Sequence, residues 1–255
     1  MRPDQDLSRR ARRGLAKHCA VLLICAVVAG CSSGAGTAVL AELLALEEGA
    51  TGEDNSSAPS ALPPSTAPTQ IAERGRYVVP DGKMAVISFV PGIFAVARKS
   101  ADFTCDTLRL TKDGNETDTD AIQTRTVAVH LQSGAVTFSL PWKDISGRST
   151  IEVTLPHAQI NAASGSLFHV EIADQIARIT CAQIGVEITT ATGDIEIGPG
   201  QSCTLGPQQA EPVIADVAKA GGEEAVRIAL ADDARISQVI LARRAAAPPW
   251  RRADR

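Results

Sequence analysis

The side chains that could do chemistry are few and scattered through this chain of 255 residues. Its six cysteines, Cys19, Cys25, Cys31, Cys105, Cys181 and Cys203, include no Cys-x-x-Cys pair, so neither a zinc ribbon nor a dithiol redox site is indicated. His130, His157 and His169 have no ligand spacing. His130 and His169 fall inside predicted strands, where an imidazole is more often a surface or satisfied core group than a ligand. Gly30-Cys31-Ser32-Ser33-Gly34 fits Gly-x-Ser-x-Gly, but no strand precedes it, as a hydrolase elbow requires. A P-loop, a dinucleotide fingerprint and His-Glu-x-x-His are absent. Asp113, Glu116, Asp118 and Asp120 offer oxygens of the kind Ca²⁺ takes, but a solvated acidic loop is the commoner fate of such a run. The expectation is a protein that is not an enzyme and has no resident metal or cofactor; a hydrolase ranks last for want of a catalytic set.

Composition narrows the partners. Aromatic residues make up only 3% of the chain, too few for a surface that stacks on bases. The formal net charge is −4, and the first 30 residues hold six basic against two acidic side chains. The remainder is therefore more acidic than the whole, and nucleic acid is excluded as a partner. Hydrophobic residues reach 44%, so a packed core is feasible, built mainly from Val, Ile, Leu and Ala.

Whatever site exists must be positioned by strands. Between Arg125 and Leu205 apolar and polar residues alternate. Val127, Val129 and Leu131 share one phase; Val136, Phe138 and Leu140 share the next, Ile151, Val153 and Leu155 another, and Ile184, Val186 and Ile188 another. Ile179 and Cys181 lie out of phase with Ile184 and Val186, so a bulge or a reversal separates them. Gly134, Gly165, Gly185, Gly193 and Gly200 are expected at reversals or bulges. Upstream, "RYVV", "MAVISFV", "GIFAVARKS" and "FTCDTLRL" read as further strands, with turns at Pro80 to Lys83 and at Pro91-Gly92. The polar run from Thr111 to Thr124 reads as a loop. The expected fold is mainly β, a sandwich or β-roll of short antiparallel strands, with an N-terminal signal helix and short C-terminal helices.

The N-terminus has a basic segment, then the short apolar run "CAVLLICAVVAG", ending in Val28-Ala29-Gly30-Cys31. This is a secretory pattern, and the small residues before Cys31 resemble a bacterial lipoprotein signal. The resemblance implies cleavage after Gly30, lipid on Cys31, and a mature chain anchored to a membrane outside the cytoplasm. The alternative is an uncleaved signal anchor, but "CSSGAG" interrupts the apolar run that a span of ~20 residues needs. Residues 1–30 are thus expected as a signal peptide and 31–75 as a lipid-anchored flexible tether. "AGTAVLAELLALE" within the tether has helical composition, and the Gly, Ser, Thr and Pro after it cannot bury enough apolar area to order. A β domain over 76–206 and a helical extension with a basic tail over 207–255 complete the expected organisation. In an oxidising compartment Cys181 and Cys203, in strands of the same short unit, are candidates for a disulfide. Three buried thiols, with Cys105, are the equal alternative.

The pieces "VHLQSGAVTFSL", "IEVTLPHAQINAASGSLFHVEI", "ARITCAQIGVEIT" and "GDIEIGPGQSCTL" resemble, in their order, the FecR-like domain of periplasmic sensors. The matching turns are Leu131 to Gly134, Leu155-Pro156, Gly165-Ser166-Leu167-Phe168, Gly185-Val186 and Pro199-Gly200-Gln201. The resemblance implies an extracytoplasmic β domain. The chain departs from the family at Ala163-Ser164, where an Arg is usual. About eighteen residues precede the apolar run, where the family's regulators carry a cytoplasmic domain, so the regulator role is not expected to transfer. The functional expectation is a cell-envelope lipoprotein, periplasmic or on the outer membrane, presenting this domain to an envelope protein or small ligand. A signal-anchored transmembrane signalling protein is the alternative.

Overall fold

The alternating pattern resolves into strands in a computed structural model of the chain, which describes residues 37–48, 70–112, 122–141, 147–207 and 211–246. In chain order these are β1 (Thr37–Ala38), β2 (Ala41–Glu48), β3 (Gln70–Ile71), β4 (Gly75–Val78), β5 (Lys83–Val90), β6 (Ile93–Lys112), β7 (Ile122–Ser139) and β8 (Arg148–Thr154). There follow β9 (Ala158–Ala163), β10 (Leu167–Ala173), β11 (Ile176–Gln183), β12 (Val186–Thr190), β13 (Gly193–Ile197), β14 (Gln201–Leu205) and β15 (Val213–Asp216). The single-turn helix α1 (Val217–Ala220) and the long helix α2 (Glu223–Ala246) close the described chain. The fold is mainly antiparallel β, as the sequence predicts; β7 and β8 are a parallel pair.

The axis of the fold is the ribbon β6–β7, two strands much longer than the pattern suggests. "GIFAVARKS" and "FTCDTLRL" form one strand, and Gly134 marks no reversal. The ribbon bends where Arg98↔Ala135 pairing jumps to Asp102↔Ser133. Lys99 and Ser100 have positive φ on one side of the bend and Gly134 has φ +88° on the other. A Cβ on Gly134 would lie 2.4 Å from the Ala101 Cα, so only glycine allows both the backbone angle and the approach. The bend also explains the change of phase between Leu131 and Val136, since extra residues at a bulge turn the following side chains to the other face.

Each half of the ribbon nucleates a sheet. The first half of β6 and the second half of β7 carry β5 and β2 on one side, and β10, β11, β14 and β15 on the other. We call this the first sheet. The second half of β6 and the first half of β7 carry β4 and β1 on one side, and β8, β9, β12 and β13 on the other. The second phase change, after Cys181, is where the chain leaves β11 in the first sheet and enters β12 in the second. Ile184, expected in line with Val186, instead sits exposed in the connecting turn with φ +48°.

One core cluster holds inward residues of both sheets, among them Ile87, Ala95, Phe138, Ile179, Val127, Val153, Ile160 and Ile188. Four of the five phenylalanines line up through it. Phe103 meets Phe89 edge-on, Phe89 stacks on Phe138, and Phe138 stacks on Phe168 at 5.2 Å between ring centroids. A chain poor in aromatics concentrates them where the two sheets meet.

Three expectations are corrected. Residues 41–48 are a strand, not a helix: "AELLALEE" has helical propensity, but pairing with β5 and burial of Ala41, Leu44 and Ala45 override it. The described part of the β domain thus reaches back to Thr37, and the tether expected over 31–75 is wrong for 37–48 and 70–75. At the other end "PVIAD" holds β15 rather than a helix, paired to β14. The expected C-terminal helices are present, as the single turn α1 and the 24-residue α2. Residues 1–36, the loop acids Asp113 to Asp120 and the basic tail lie outside the described residues.

Candidate functional site

The outward face of the first sheet is where polar side chains collect. One register row crosses it: Val86, Val96, Thr137, His169, Thr180 and Ser202 stand side by side on β5, β6, β7, β10, β11 and β14. The row is apolar at one end and polar at the other, yet every member is at most 4% exposed. Helix α2 lies over it. Ile236 and Val239, with Ile240 beside them, pack on Leu44, Ala45, Met84, Val86, Phe94 and Val96. Over the polar end α2 presents Asp232 and Asp233.

These carboxylates are met group by group. The Arg98 guanidinium forms a salt bridge and hydrogen bond with Asp232 Oδ1, and the Thr137 hydroxyl donates to Asp232 Oδ2 at 2.5 Å. Thr137 Oγ1 also lies 2.9 Å from His169 Nδ1. A hydroxyl has one proton, and with it directed at Asp232 the Nδ1 must be the donor to Thr137. The Ser139 hydroxyl donates to Asp233 Oδ1 at 2.6 Å. Toward its C-terminus α2 is tied to β2: Arg235 Nε donates to Glu47 at 2.8 Å, Arg243 pairs with Glu42, and Arg243 Nη2 donates to the Leu44 carbonyl at 2.7 Å. That carbonyl belongs to the irregular step between Leu43 and Ala45, where the ladder leaves backbone groups unmatched.

Burial perturbs the two titratable groups at the centre. The His169 imidazole is pushed down to about 4, chiefly by desolvation and then by the charge of Arg98, so it is neutral at pH 7. The Asp232 carboxyl is raised by burial, against the opposing pull of Arg98 and the Thr137 hydrogen bond. The two partners bear on the same network in different senses: geometry favours an ionised Asp232, and desolvation resists it. A guanidinium in direct contact settles the ionised form at neutral pH.

Chemically the trio is a hydroxyl, an imidazole and a carboxylate, but in the wrong order for nucleophilic catalysis. There the base accepts the hydroxyl proton and the carboxylate orients the base. Here the hydroxyl stands between the other two and donates to the carboxylate beneath a helix. The arrangement works as a latch that seats α2.

Cys105, Cys181 and Cys203 are buried free thiols, and the expected Cys181–Cys203 disulfide is not formed. The register opposes Cys203 to Ile179, two residues from Cys181. Such diagonal neighbours stand about 7–8 Å apart, beyond the usual Cα separation of a disulfide, at most about 6.8 Å. Burial pushes the Cys181 and Cys203 thiols up to about 11 and Cys105 up to about 12, so they are unreactive. His130 is half-buried on the second sheet and His157 is exposed in a turn; neither joins His169. Gly30 and Cys31 lie outside the described residues. Among the described residues no group of three or more His, Cys, Asp or Glu is gathered as for a metal ion, and no helix is long and apolar enough to cross a membrane. Arg98, Thr137 and Asp232 were not singled out from sequence. The available signal was a charged residue within each of two apolar patterns, "AVARKS" and "ALADDARI".

The fold and latch define a two-sheet β domain with a helix fixed across one outer face. No family model matches the chain, and no curated protein does. Similar solved structures include two crystal structures from Parabacteroides distasonis, each of a protein provisionally described as an anti-sigma factor. One, at 2.50 Å, has a TM-score of 0.39 and 12% identity over 55% of this chain and 59% of that one. The other, at 1.65 Å, has a TM-score of 0.34 and 12% identity over 57% of each. This chain thus spans less than two-thirds of the length of those proteins, and likeness at these scores carries no functional argument.

Proposed function

We propose that the protein is a non-enzymatic lipoprotein of the bacterial cell envelope. Its two-sheet domain, akin to the FecR-like domain, would be presented outside the cytoplasm to bind an envelope protein or small ligand. The observation that carries the reading is the leader: a basic segment, a short apolar run and Val28-Ala29-Gly30-Cys31. The strand beginning at Thr37 sharpens it, because only five residues separate it from Cys31. The lipid would join the domain through Ser32 to Gly36, not through a tether of some forty residues. The three core thiols are buried and so are compatible with an oxidising compartment without a disulfide. The polar trio does not support an enzyme, because α2 covers it.

Metabolic labelling of the full chain with a palmitate analogue tests the reading. Label is expected on wild type and absent from Cys31→Ser, with the intact mass of the mature protein showing loss of residues 1–30. A mature chain that keeps those residues and takes no label overturns the proposal in favour of a signal-anchored protein.

A further inference from the structure

The strands β1 and β2 belong to the sheets in space but not in sequence. β1 pairs with β6 at Leu110 and Arg109. β2 pairs with β5 from Glu42↔Ser88 to Glu48↔Lys83, and its ion pairs reach α2, 188 and 201 residues away. Its one contact strand nearer in sequence is β3, at Ile71 and Gln70. Between Glu48 and Gln70 run 21 residues rich in Pro, Ser, Thr and Ala.

The two partners of this pairing differ in kind. "AELLALEE" has no β-branched residue and good helix formers throughout, so its strand form is imposed by the slot it occupies. "MAVISFV", on which it lies, is β-branched and uncharged, and most of it is buried. Without β2, the β5 edge would present a row of unpaired backbone groups on apolar sequence, a template for another strand. The slot thus has to be filled, and the strand that fills it is joined to the domain by a long connection.

We propose that residues 37–48 are an exchangeable strand pair, and that a second copy of this chain can supply them to the β5–β6 slot, giving a strand-swapped dimer. Exchange loses no contact. The incoming copy brings the same Ala41, Leu44 and Ala45 for the apolar pockets, the same Glu47 for Arg235, and the same Glu42 for Arg243. Swapping between identical protomers is a low-cost route to a dimer when one element is joined by a hinge. The connection is long enough: 22 steps at about 3.4 Å reach at most about 75 Å, against a radius of gyration of about 16 Å for a domain of this size. The proposal stands whether or not Cys31 carries lipid.

The register supplies the test, because Glu47 pairs with Met84 and antiparallel partners stand about 4.5–5.5 Å apart at Cα, within disulfide range. Full-length Glu47→Cys with one tag and full-length Met84→Cys with another are co-expressed and oxidised. Neither chain alone can form this bond internally. Exchange is expected to give a disulfide-linked species of twice the monomer mass that carries both tags and is lost on reduction. The double variant E47C/M84C in one chain reports folding, since it closes internally when β2 lies on β5. Closure of the double variant with only monomers in the mixed expression overturns the proposal. Failure of both overturns it as well, because β2 would then not occupy the slot at all.

Discussion

The two sheets are built on one ribbon, yet their outer faces have opposite fates. On the second sheet, Glu152, Asn161, Glu187 and Glu196 stand in one register row and Thr154, Gln159, Thr189 and Asp194 in the next. These rows face outward, their acidic members and Thr189 are exposed, and the side chains can be hydrated. On the first sheet, Thr137, His169, Thr180 and Ser202 form a comparable polar row that is buried, with α2 over β7, β10 and β11 and α1 beside β14. Polar outward residues in a strand therefore do not by themselves mark a solvated face. What distinguishes the covered face is that several of its polar groups are matched from above, Asp232 serving Arg98 and Thr137 and Asp233 serving Ser139, while Ser202 bonds to the Ala215 carbonyl and Thr180 Oγ1 is left without a hydrogen bond. Burying a polar group without a partner is costly, so the helix is complementary to the sheet at Arg98, Thr137 and Ser139.

The largest expected effect breaks that complementarity. Asp232→Ala leaves the Arg98 guanidinium beneath α2 without its carboxylate. Removing one partner of a buried ion pair costs about 3–5 kcal/mol. We expect a fall of about 3 kcal/mol in unfolding free energy by urea titration, with faster amide exchange along α2 than in the core strands. Glu196→Ala on the open face is expected to stay within about 0.5 kcal/mol of wild type. Equal effects at the two positions would show that the faces do not differ in the way argued.

How much of this was legible in the sequence follows from the same contrast. The alternation at Ile151, Val153 and Ile160 exposed the strands and their inward face, because period-two burial is a local property. The class of fold was readable for that reason. Gly134 was readable as a special position but not as a bend within one strand, since the approach of Ala101 is made by a segment some thirty residues away. The strand at 41–48 was hidden, because "AELLALEE" has helical propensity and only the β5 edge dictates otherwise. For His169 the strand pattern left a surface and a satisfied core position open; the structure buries it, and its partners are invisible in the sequence. Arg98, Thr137 and Asp232 come from three elements spread over more than 130 residues, and nothing in their spacing joins them.

A smaller effect concerns pH, and its sign is set by two opposed groups. His169 has an ordinary value near 6.5 and is pushed down to about 4 in the folded protein, so the unfolded chain takes up the proton first. Its contribution to stability is intact above about pH 6.5 and is lost as pH falls toward 4. At about 1.4 kcal/mol per pH unit of displacement, the loss approaches roughly 3 kcal/mol. The Asp232 carboxyl is raised, so the folded protein binds that proton more readily, and acid offsets part of the loss. Glu171 works against Asp232: desolvation of its carboxyl is outweighed by the hydrogen bond and charge of Lys99, which hold it below its ordinary value, so its protonation in acid adds to the loss. We expect a net fall of about 2 kcal/mol between pH 6.5 and 4. His169→Gln should flatten that limb, whatever its effect at neutral pH. A limb of unchanged slope in the variant would move the titrating group away from the covered face.

The smallest effect belongs to the open face and runs the other way. Glu187 and Glu196 are directly opposed across β12 and β13, and both are exposed. Like charges in that relation are mildly destabilising, and an opposite pair contributes a few tenths of a kcal/mol up to about 1. Solvent screening keeps such an exposed pair near the lower end. Glu187→Lys should therefore raise stability slightly, by about 0.3 kcal/mol, seen as a small upward shift of the thermal midpoint, and the gain should shrink when the melt is repeated in high salt. Reversing a charge on the covered face, as in Asp232→Lys, would set a cation against Arg98 with no water to screen it. The same kind of substitution is thus expected to stabilise one outer face and disrupt the other. If Glu187→Lys destabilises by a kcal/mol or more, the second sheet is not an open face in solution, and something covers it as α2 covers the first.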